Sequence, residues 1–408
     1  MNSARPAASI PAVVLSCLGA PEGDLNVVRS LGEHGVPVTV ISEYADPPSA
    51  ASRHCREFVH LPAYTQKPER LLEVLQRMRE RHGTAPVVFP SADPDLTALN
   101  QMQQRLRDVV RSTLAPAELI NVLSDKRLFN DLALRVDLPV PRTYTPSTLD
   151  EVAEVARAAE YPLIVKPSHP VAWKHPDIPR DIARAKAILI EEPDELLRIC
   201  RIVAPHGLEL LIQEYIPGGD EEHYDVHAYI DRTGRPQATY AGRKWRIYPP
   251  HAGSGCFVES MHIPELEELA LDILHKVDYR GIANINFKRH NRTGAYKLLE
   301  INPRVSQWNI LAARSGVNLP WIAYRDACGL PPEPLPHRRT GVFYVNGKND
   351  LRAFLQYRRM GEWSLGRYVG SLLKPGIVCQ AWSLSDPGPA LRLTGGWLAA
   401  KIGLHRPG

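Results

Sequence analysis

Apolar residues in the N-terminal part of the chain fall into short runs separated by stretches with helical spacing. Ala12-Val13-Val14-Leu15-Ser16 reads as a buried strand. A Gly/Pro-rich turn follows (Gly19-Ala20-Pro21-Glu22-Gly23), and then Leu25, Val28 and Leu31 recur at the spacing of one helix face. Val36-Pro37-Val38-Thr39-Val40-Ile41 is predicted as a second strand and Val87-Val88-Phe89-Pro90 as a third. Between them Leu71, Leu72, Leu75 and Met78 mark a helix. Strand–helix alternation of this kind argues for an open parallel sheet of Rossmann type. Ligands in such sheets sit beyond the strand C-termini, which makes the turn after Ser16 a candidate cleft wall. No GxGxxG is present, so a dinucleotide site is not expected.

The pattern changes at Ser124, which is placed to cap a helix opening at Asp125-Lys126. A Pro-bounded strand start is predicted at Leu138-Pro139-Val140-Pro141, then a helix over 149–159 and a strand over 162–167 ending in Lys166-Pro167. Residues 168–184 are polar and Pro-rich and read as a long loop, a feature that often serves as a lid. Strands are predicted over 210–215, 224–231 and 237–248, and a helix over 265–277. A hairpin follows over 282–288 and 296–301, turning at Asn291-Arg292-Thr293-Gly294. A Pro- and Arg-rich linker over 331–339 precedes a basic tail with Trp363, Trp382 and Trp397 among its cations. The expected division is 1–122, 123–330 with a mobile lid lobe over about 140–215, and a C-terminal accessory segment over 331–408.

The hairpin carries the sharpest chemistry. Residues two apart on a strand share a face, so Glu300 and Asn302 project together, Pro303 ends the strand and Arg304 follows at its tip. An acid, an amide oxygen and a guanidinium at one strand end suit a hard divalent cation with phosphate. Lys166, closing an apolar strand, can place a point charge on a phosphate. The run Gln213-Glu214-Tyr215-Ile216-Pro217-Gly218-Gly219-Asp220 enters a Pro-Gly turn. Its strand exit can offer backbone groups to a purine edge, with acids beyond it for ribose hydroxyls. In Arg243-Lys244-Trp245-Arg246-Ile247-Tyr248, strand alternation puts Lys244, Arg246 and Tyr248 on one face, an expected anion site. Each piece also has a plainer reading as solvated surface; it is their order that carries weight.

Composition narrows the class. The 408 residues are 44% hydrophobic and 23% charged with a formal net charge of +4, a globular composition well short of a dedicated nucleic-acid binder. Six cysteines lie far apart without CxxC spacing, which points to reduced thiols in the cytoplasm rather than a zinc or redox site. Val14-Leu15-Ser16-Cys17 loosely resembles a lipoprotein cleavage site, but the preceding residues lack its basic and apolar regions. No apolar run is long enough for a bilayer span.

A DK helix, a strand ending in VKP, a QEYIPG strand, a basic strand and a hairpin ending in EINPR together resemble the ATP-grasp superfamily, over roughly residues 10–330. The text from Arg243 to Pro250 and the Gly-rich run to Glu259-Ser260 is similar to its carboxylate–amine ligase branch, which includes D-aspartate ligase-like proteins. The resemblance implies an α/β chain: a Rossmann-like N-terminal domain followed by a two-lobed α+β ATP-grasp domain. It implies ATP and Mg²⁺, with Mn²⁺ as an alternative ion. Lys126, Lys166 and Lys186 would meet the phosphates. Gln213, Glu214, Tyr215 and Ile216 would form the adenine hinge, and Asp220 or Glu222 would meet the ribose. Glu300 and Asn302 would hold the metal, with Asn286 on the facing strand as a further oxygen ligand. Arg304, Arg246 and Lys244 would act on the transferring phosphate or the substrate carboxylate. The expected reaction joins a small-molecule carboxylate to an amine through an acyl-phosphate, releasing ADP and phosphate. A homodimer is expected; nucleic acid is not.

The sequence departs from that pattern twice. The stretch where a Gly-rich phosphate loop belongs, Ser168-His169-Pro170-Val171-Ala172-Trp173-Lys174-His175, has no glycine. Asn286 stands where the family has an acid. A weakened second metal site is expected from this, as is tighter Mg²⁺ binding on Asn286→Asp. The alternatives are a ligase with another acceptor and a nucleotide-binding regulator without turnover.

Overall fold

In the computed structural model, residues 10–19, 23–169 and 172–401 are described, with side chains up to 394. The first sheet is built from β1 (Ala12–Ser16), β2 (Val38–Ser42), β3 (Cys55–His60), β4 (Val87–Phe89) and β5 (Arg111–Ser112) in the order β3-β2-β1-β4-β5. All its pairings are parallel. β1, β2 and β4 are buried throughout, as continuous apolar runs must be in a sheet covered on both faces. β3 and β5 escaped the sequence pattern: both are polar edge strands, and Arg56, Glu57 and His60 break any apolar period. Of the turn after Ser16, Ala20, Pro21 and Glu22 lie outside the described residues.

A four-stranded antiparallel sheet follows, β6 (Thr143–Tyr144), β7 (Leu163–Pro167), β8 (Ile188–Ile190) and β9 (Leu210–Glu214), in the order β6-β9-β7-β8. One face packs on helices Leu149–Ala158 and Pro193–Val203 through Leu163, Val165, Leu196 and Ile199. That leaves Lys166 and Gln213 on the other, open face. Two local expectations are corrected. Asp125, not Ser124, caps helix Lys126–Arg135: its carboxylate accepts from the backbone N–H groups of Arg127 and Leu128, while Ser124 ends the preceding helix. Leu138 to Pro141 forms no strand, since two prolines in four residues remove the donors a ladder needs; pairing starts at Thr143.

The largest sheet comprises β10 (His223–Ile230), β11 (Pro236–Tyr248), β12 (Ser254–Met261), β13 (Gly281–Arg289), β14 (Tyr296–Asn302), β15 (Phe343–Val345) and β16 (Ile377–Cys379). Their order is β14-β13-β10-β11-β12-β15-β16. Helix Pro264–Lys276 covers one face, its Leu266, Ala270 and Ile273 packing with Val226, Ala228 and Ile285. β15 and β16 come from beyond the Pro-rich linker, which itself has neither helix nor strand. The C-terminal segment therefore completes this sheet.

Candidate active site

Cross-strand register builds the site. On β10, β13 and β14, Asp225 stands opposite Asn286 and Asn286 opposite Glu300. One step along, His227 stands opposite Asn284 and Asn284 opposite Asn302. A register shift on β14 at Leu299 makes this possible: Leu298 pairs with Phe287 in the core, and Glu300 is still brought level with Asn286. Asp225, Asn284, Asn286, Glu300, Asn302 and Arg304 line one cavity, with Lys244 projecting into it from β11. Gly253 lines it too; a Cβ there would stand 2.0 Å from the Tyr248 carbonyl carbon, so that wall of the cavity needs a glycine.

Electrostatics divides these groups. Lys244 is buried and pairs with Asp225 at 2.7 Å, and it donates to Asn286 Oδ1 at 2.8 Å. Burial raises Asp225 to about 6 against the pull of Lys244. The Asn286 oxygen, expected as a metal ligand, is thus already engaged by a cation. The neighbouring amide oxygen, Asn284 Oδ1, is buried and accepts from no donor among the described residues. Asn302, which lines the cavity, donates its amide N–H to Glu300 at 3.1 Å, so its amide oxygen is not used in that bond. Glu300, Asn302 and Asn284 together offer hard oxygen donors of the kind Mg²⁺ takes. Asn284 shares a face and a register row with residues the sequence did single out; its polarity in the apolar run Ile282 to Phe287 was the available signal.

The four-stranded sheet and the helix that precedes it supply cations. Lys126 donates to the Pro167 carbonyl at 2.8 Å and Lys166 to Gln213 Oε1 at 2.9 Å. Burial lowers both ammonium groups, Lys166 to about 8, while Glu300 pulls each the other way. That influence places Lys126, Lys166 and Glu300 within electrostatic reach of one another. Lys186 is exposed just before β8 and acts on Lys126 at longer range. Along the hinge, Glu214 receives the Arg142 N–H at 3.0 Å and Ile216 is buried. Tyr215 lies under the Lys288 ammonium, 4.7 Å from its ring centroid. Lys288 was not anticipated, and burial lowers it against the pull of Asp220 and Glu222.

Two expected site residues are placed elsewhere. Lys244 and Arg246 do not share a face: the register shifts between them, Lys244 opposing Val258 and Arg246 opposing Phe257. The extra residue, Trp245, turns Arg246 to the far side of the sheet. There it is fully buried, bonded to both oxygens of Asp350 at 2.6 and 3.0 Å and stacked near Phe257, Trp363 and Tyr368. Asp220 is also buried, its Oδ2 accepting from the His251 N–H at 2.9 Å and the Tyr357 hydroxyl at 2.6 Å. Burial opposes its ionisation, but those hydrogen bonds hold it below the usual carboxylate range. Glu222 is the more open of the two acids, 3.8 Å from Arg289.

Arg304 remains at the cavity and forms a two-pronged ion pair with Asp93. Asp93 opens helix Asp93–Asn100 beside the C-terminal end of β4, so the parallel sheet forms one wall of the site. His227 is buried, stacked on Trp308 at 4.0 Å, and pushed down to about 3 by burial, which keeps it neutral.

Residues 209–349 match the model of a family described as ATP-grasp in the biosynthetic pathway with Ter operon. A D-aspartate ligase of Enterococcus faecium is 25% identical over 339 residues, 80% of this chain and 78% of that protein. The N-terminal section of the carbamoyl phosphate synthase large chain of Methanopyrus kandleri is 27% identical over 240 residues, 56% of this chain and 40% of that protein. Among solved structures, N5-carboxyaminoimidazole synthetase from Staphylococcus aureus superposes with a TM-score of 0.64 at 12% identity, covering 87% of this chain and 88% of that one. The biotin carboxylase domain of Hydrogenobacter thermophilus 2-oxoglutarate carboxylase, solved with MgADP and bicarbonate, gives 0.60 at 14% identity, covering 81% and 73%. Residues 209–349 thus match an ATP-grasp family, and the fold around them is the one seen in these carboxylases and synthetases.

Proposed function

We propose that the chain joins a carboxylate to an amine at the expense of ATP, through an acyl-phosphate. The observation that carries this reading is the convergence of Glu300, Asn302, Arg304, Asn284 and Lys244 on one cavity, with Lys126 and Lys166 near enough to feel the charge of Glu300. The D-aspartate ligase relative, which extends along most of the chain, supports the amine acceptor.

The division of labour follows from the geometry. Glu300, Asn302 and Asn284 would hold Mg²⁺, which would draw charge from the phosphates when bound. Lys126 and Lys166 would meet the phosphates from above, with the hinge from Gln213 to Ile216 taking the base and Glu222 the ribose. Arg304 would exchange Asp93 for the substrate carboxylate or the transferring phosphoryl group. Lys244, held by Asp225, would add a fixed positive charge on the acceptor side. Catalysis of this type needs little beyond positioning and charge stabilisation.

A screen of ADP release with amino acids and small carboxylates, each with and without a paired amine, tests it. Intact-mass analysis of the products and trapping with hydroxylamine complete the experiment. An amide product, and a hydroxamate when hydroxylamine replaces the amine, are expected. ADP release with a carboxylated or esterified product would move the chain to another acceptor class. Nucleotide binding without ADP release across the panel would make it a regulator.

A further inference from the structure

Away from the cavity, the lid lobe carries a second cluster of ligating side chains. His175 and Asp177 stand on the loop after β7, and His206 ends the turn after helix Pro193–Val203. One donor atom from each lies within 4.8 Å of the others. The two imidazoles stack with centroids 3.8 Å apart and planes inclined at 28°, and His175 Nδ1 is 3.5 Å from Asp177 Oδ2. Two ligands of a tetrahedral zinc ion, each about 2.0–2.1 Å from it, stand roughly 3.4 Å apart. The His175–Asp177 spacing already meets that value; an ion would displace the Asp177 N–H, 3.3 Å from His175 Nδ1, and turn the stacked His206 ring toward itself.

We propose that His175, Asp177 and His206 bind a divalent transition ion, with Zn²⁺ the ion of choice and water completing its shell. Two nitrogens and one carboxylate oxygen suit zinc, whereas Mg²⁺ prefers an all-oxygen set such as the one at Glu300. The cluster is open to solvent, so an ion can enter without unfolding the lobe. Its position gives it a consequence. The loop leaves β7 after Pro167, the residue following Lys166, and its Trp173 is buried in the lobe core. Beyond Trp173 the ion would join the loop to the end of helix Pro193–Val203. That ties down the segment next to the phosphate lysines, where the sequence has no glycine. This site does not depend on what reaction the cavity performs.

Calorimetric titration of the full chain with Zn²⁺, and visible absorption after Co²⁺ addition, test the proposal in His175→Ala, Asp177→Ala and His206→Ala. The unaltered chain is expected to take up one equivalent of Zn²⁺ and to give intense Co²⁺ d–d bands. His175→Ala and His206→Ala are expected to lose both signals with unchanged circular dichroism. His169→Ala, altering a nearby histidine outside the cluster, is expected to keep them. Limited proteolysis between residues 172 and 179 should slow with Zn²⁺ in the unaltered chain only. Absence of zinc uptake, or uptake unchanged in the two histidine variants, would overturn the site. Uptake without protection of the loop would overturn the clamp.

Discussion

Lys244 decides what Asn286 can do. A primary ammonium 2.8 Å from the amide oxygen takes one of its two lone pairs and sets a positive charge against any cation there. An acid placed there would join Asp225 around the same lysine, so the site of sensitivity moves to Asn284, whose oxygen is buried without a donor among the described residues. Asn284→Asp is therefore expected to lower the Mg²⁺ concentration for half-maximal ATP turnover by about thirtyfold, from the ~2 kcal/mol a unit charge about 4 Å from a doubly charged ion contributes even in water. Asn286→Asp should leave it within about twofold. A Mg²⁺ titration giving the reverse order would return Asn286 to the metal site. Lys166 offers a second test at this scale. Its ammonium is held down to about 8, and a lysine loses its charge above its pKa. Bound phosphates favour the charged form. ATP affinity should thus be steady below pH 8 and fall up to about tenfold per unit above it. Lys166→Arg, which does not titrate there, should flatten that profile in equilibrium binding measurements.

At the scale of elements, two register shifts separate what strand alternation predicts from what the sheet does. On β14 the shift at Leu299 leaves the hairpin's expected face intact. On β11 the extra residue at Trp245 reverses it, and Arg246 becomes a buried partner of Asp350. Asp350 is pushed up by burial and held back by Arg246, so the carboxylate needs the guanidinium to stay charged. Removing one partner of a buried pair costs about 3–5 kcal/mol, while replacing both with apolar residues is often neutral. Arg246→Ala should therefore lower the denaturation midpoint sharply, and Arg246→Met with Asp350→Leu should restore much of it in urea unfolding. If Arg246→Ala leaves stability intact and removes only turnover, Arg246 belongs to the catalytic site after all. The helices, the central strands and the hairpin were legible because each carries a local period. The shifts were not, because a bulge has no composition of its own and is chosen by what packs on either face.

On the scale of the whole molecule, the cavity lies where the largest sheet meets the end of the parallel sheet, and the C-terminal segment joins those two sheets. β15 and β16 extend the large sheet, and Asp386 reaches back to the first sheet's helix Asp24–Gly32. Its carboxylate accepts from Arg29 at 2.9 Å and from Ser52 and the Arg53 N–H. Hydrogen bonds from these groups outweigh burial and hold Asp386 low. Truncation after residue 340 would leave Arg29 and Arg246 as buried charges without these partners. A chain lacking fixed tertiary packing is expected, seen as lost near-ultraviolet circular dichroism with retained far-ultraviolet signal. A truncated chain that melts cooperatively near the full-length temperature would show the segment to be an appendage. Among the described residues no helix is long and apolar enough to cross a membrane.

The sequence by itself determined the three central strands of the N-terminal sheet, the strands β7, β9, β10 and β11 along the chain, and the hairpin on which Glu300, Asn302 and Arg304 converge. Those features are written in spacing along the chain, where neighbours in sequence are neighbours in space. Only the tertiary structure decided that Lys244 engages Asn286, that the Asn284 oxygen has no donor among the described residues, that Arg246 faces away, and that Asp93 reaches Arg304 from the helix after β4. Each of those depends on a partner from a different strand or sheet, and burial together with cross-strand register, not local period, selects it.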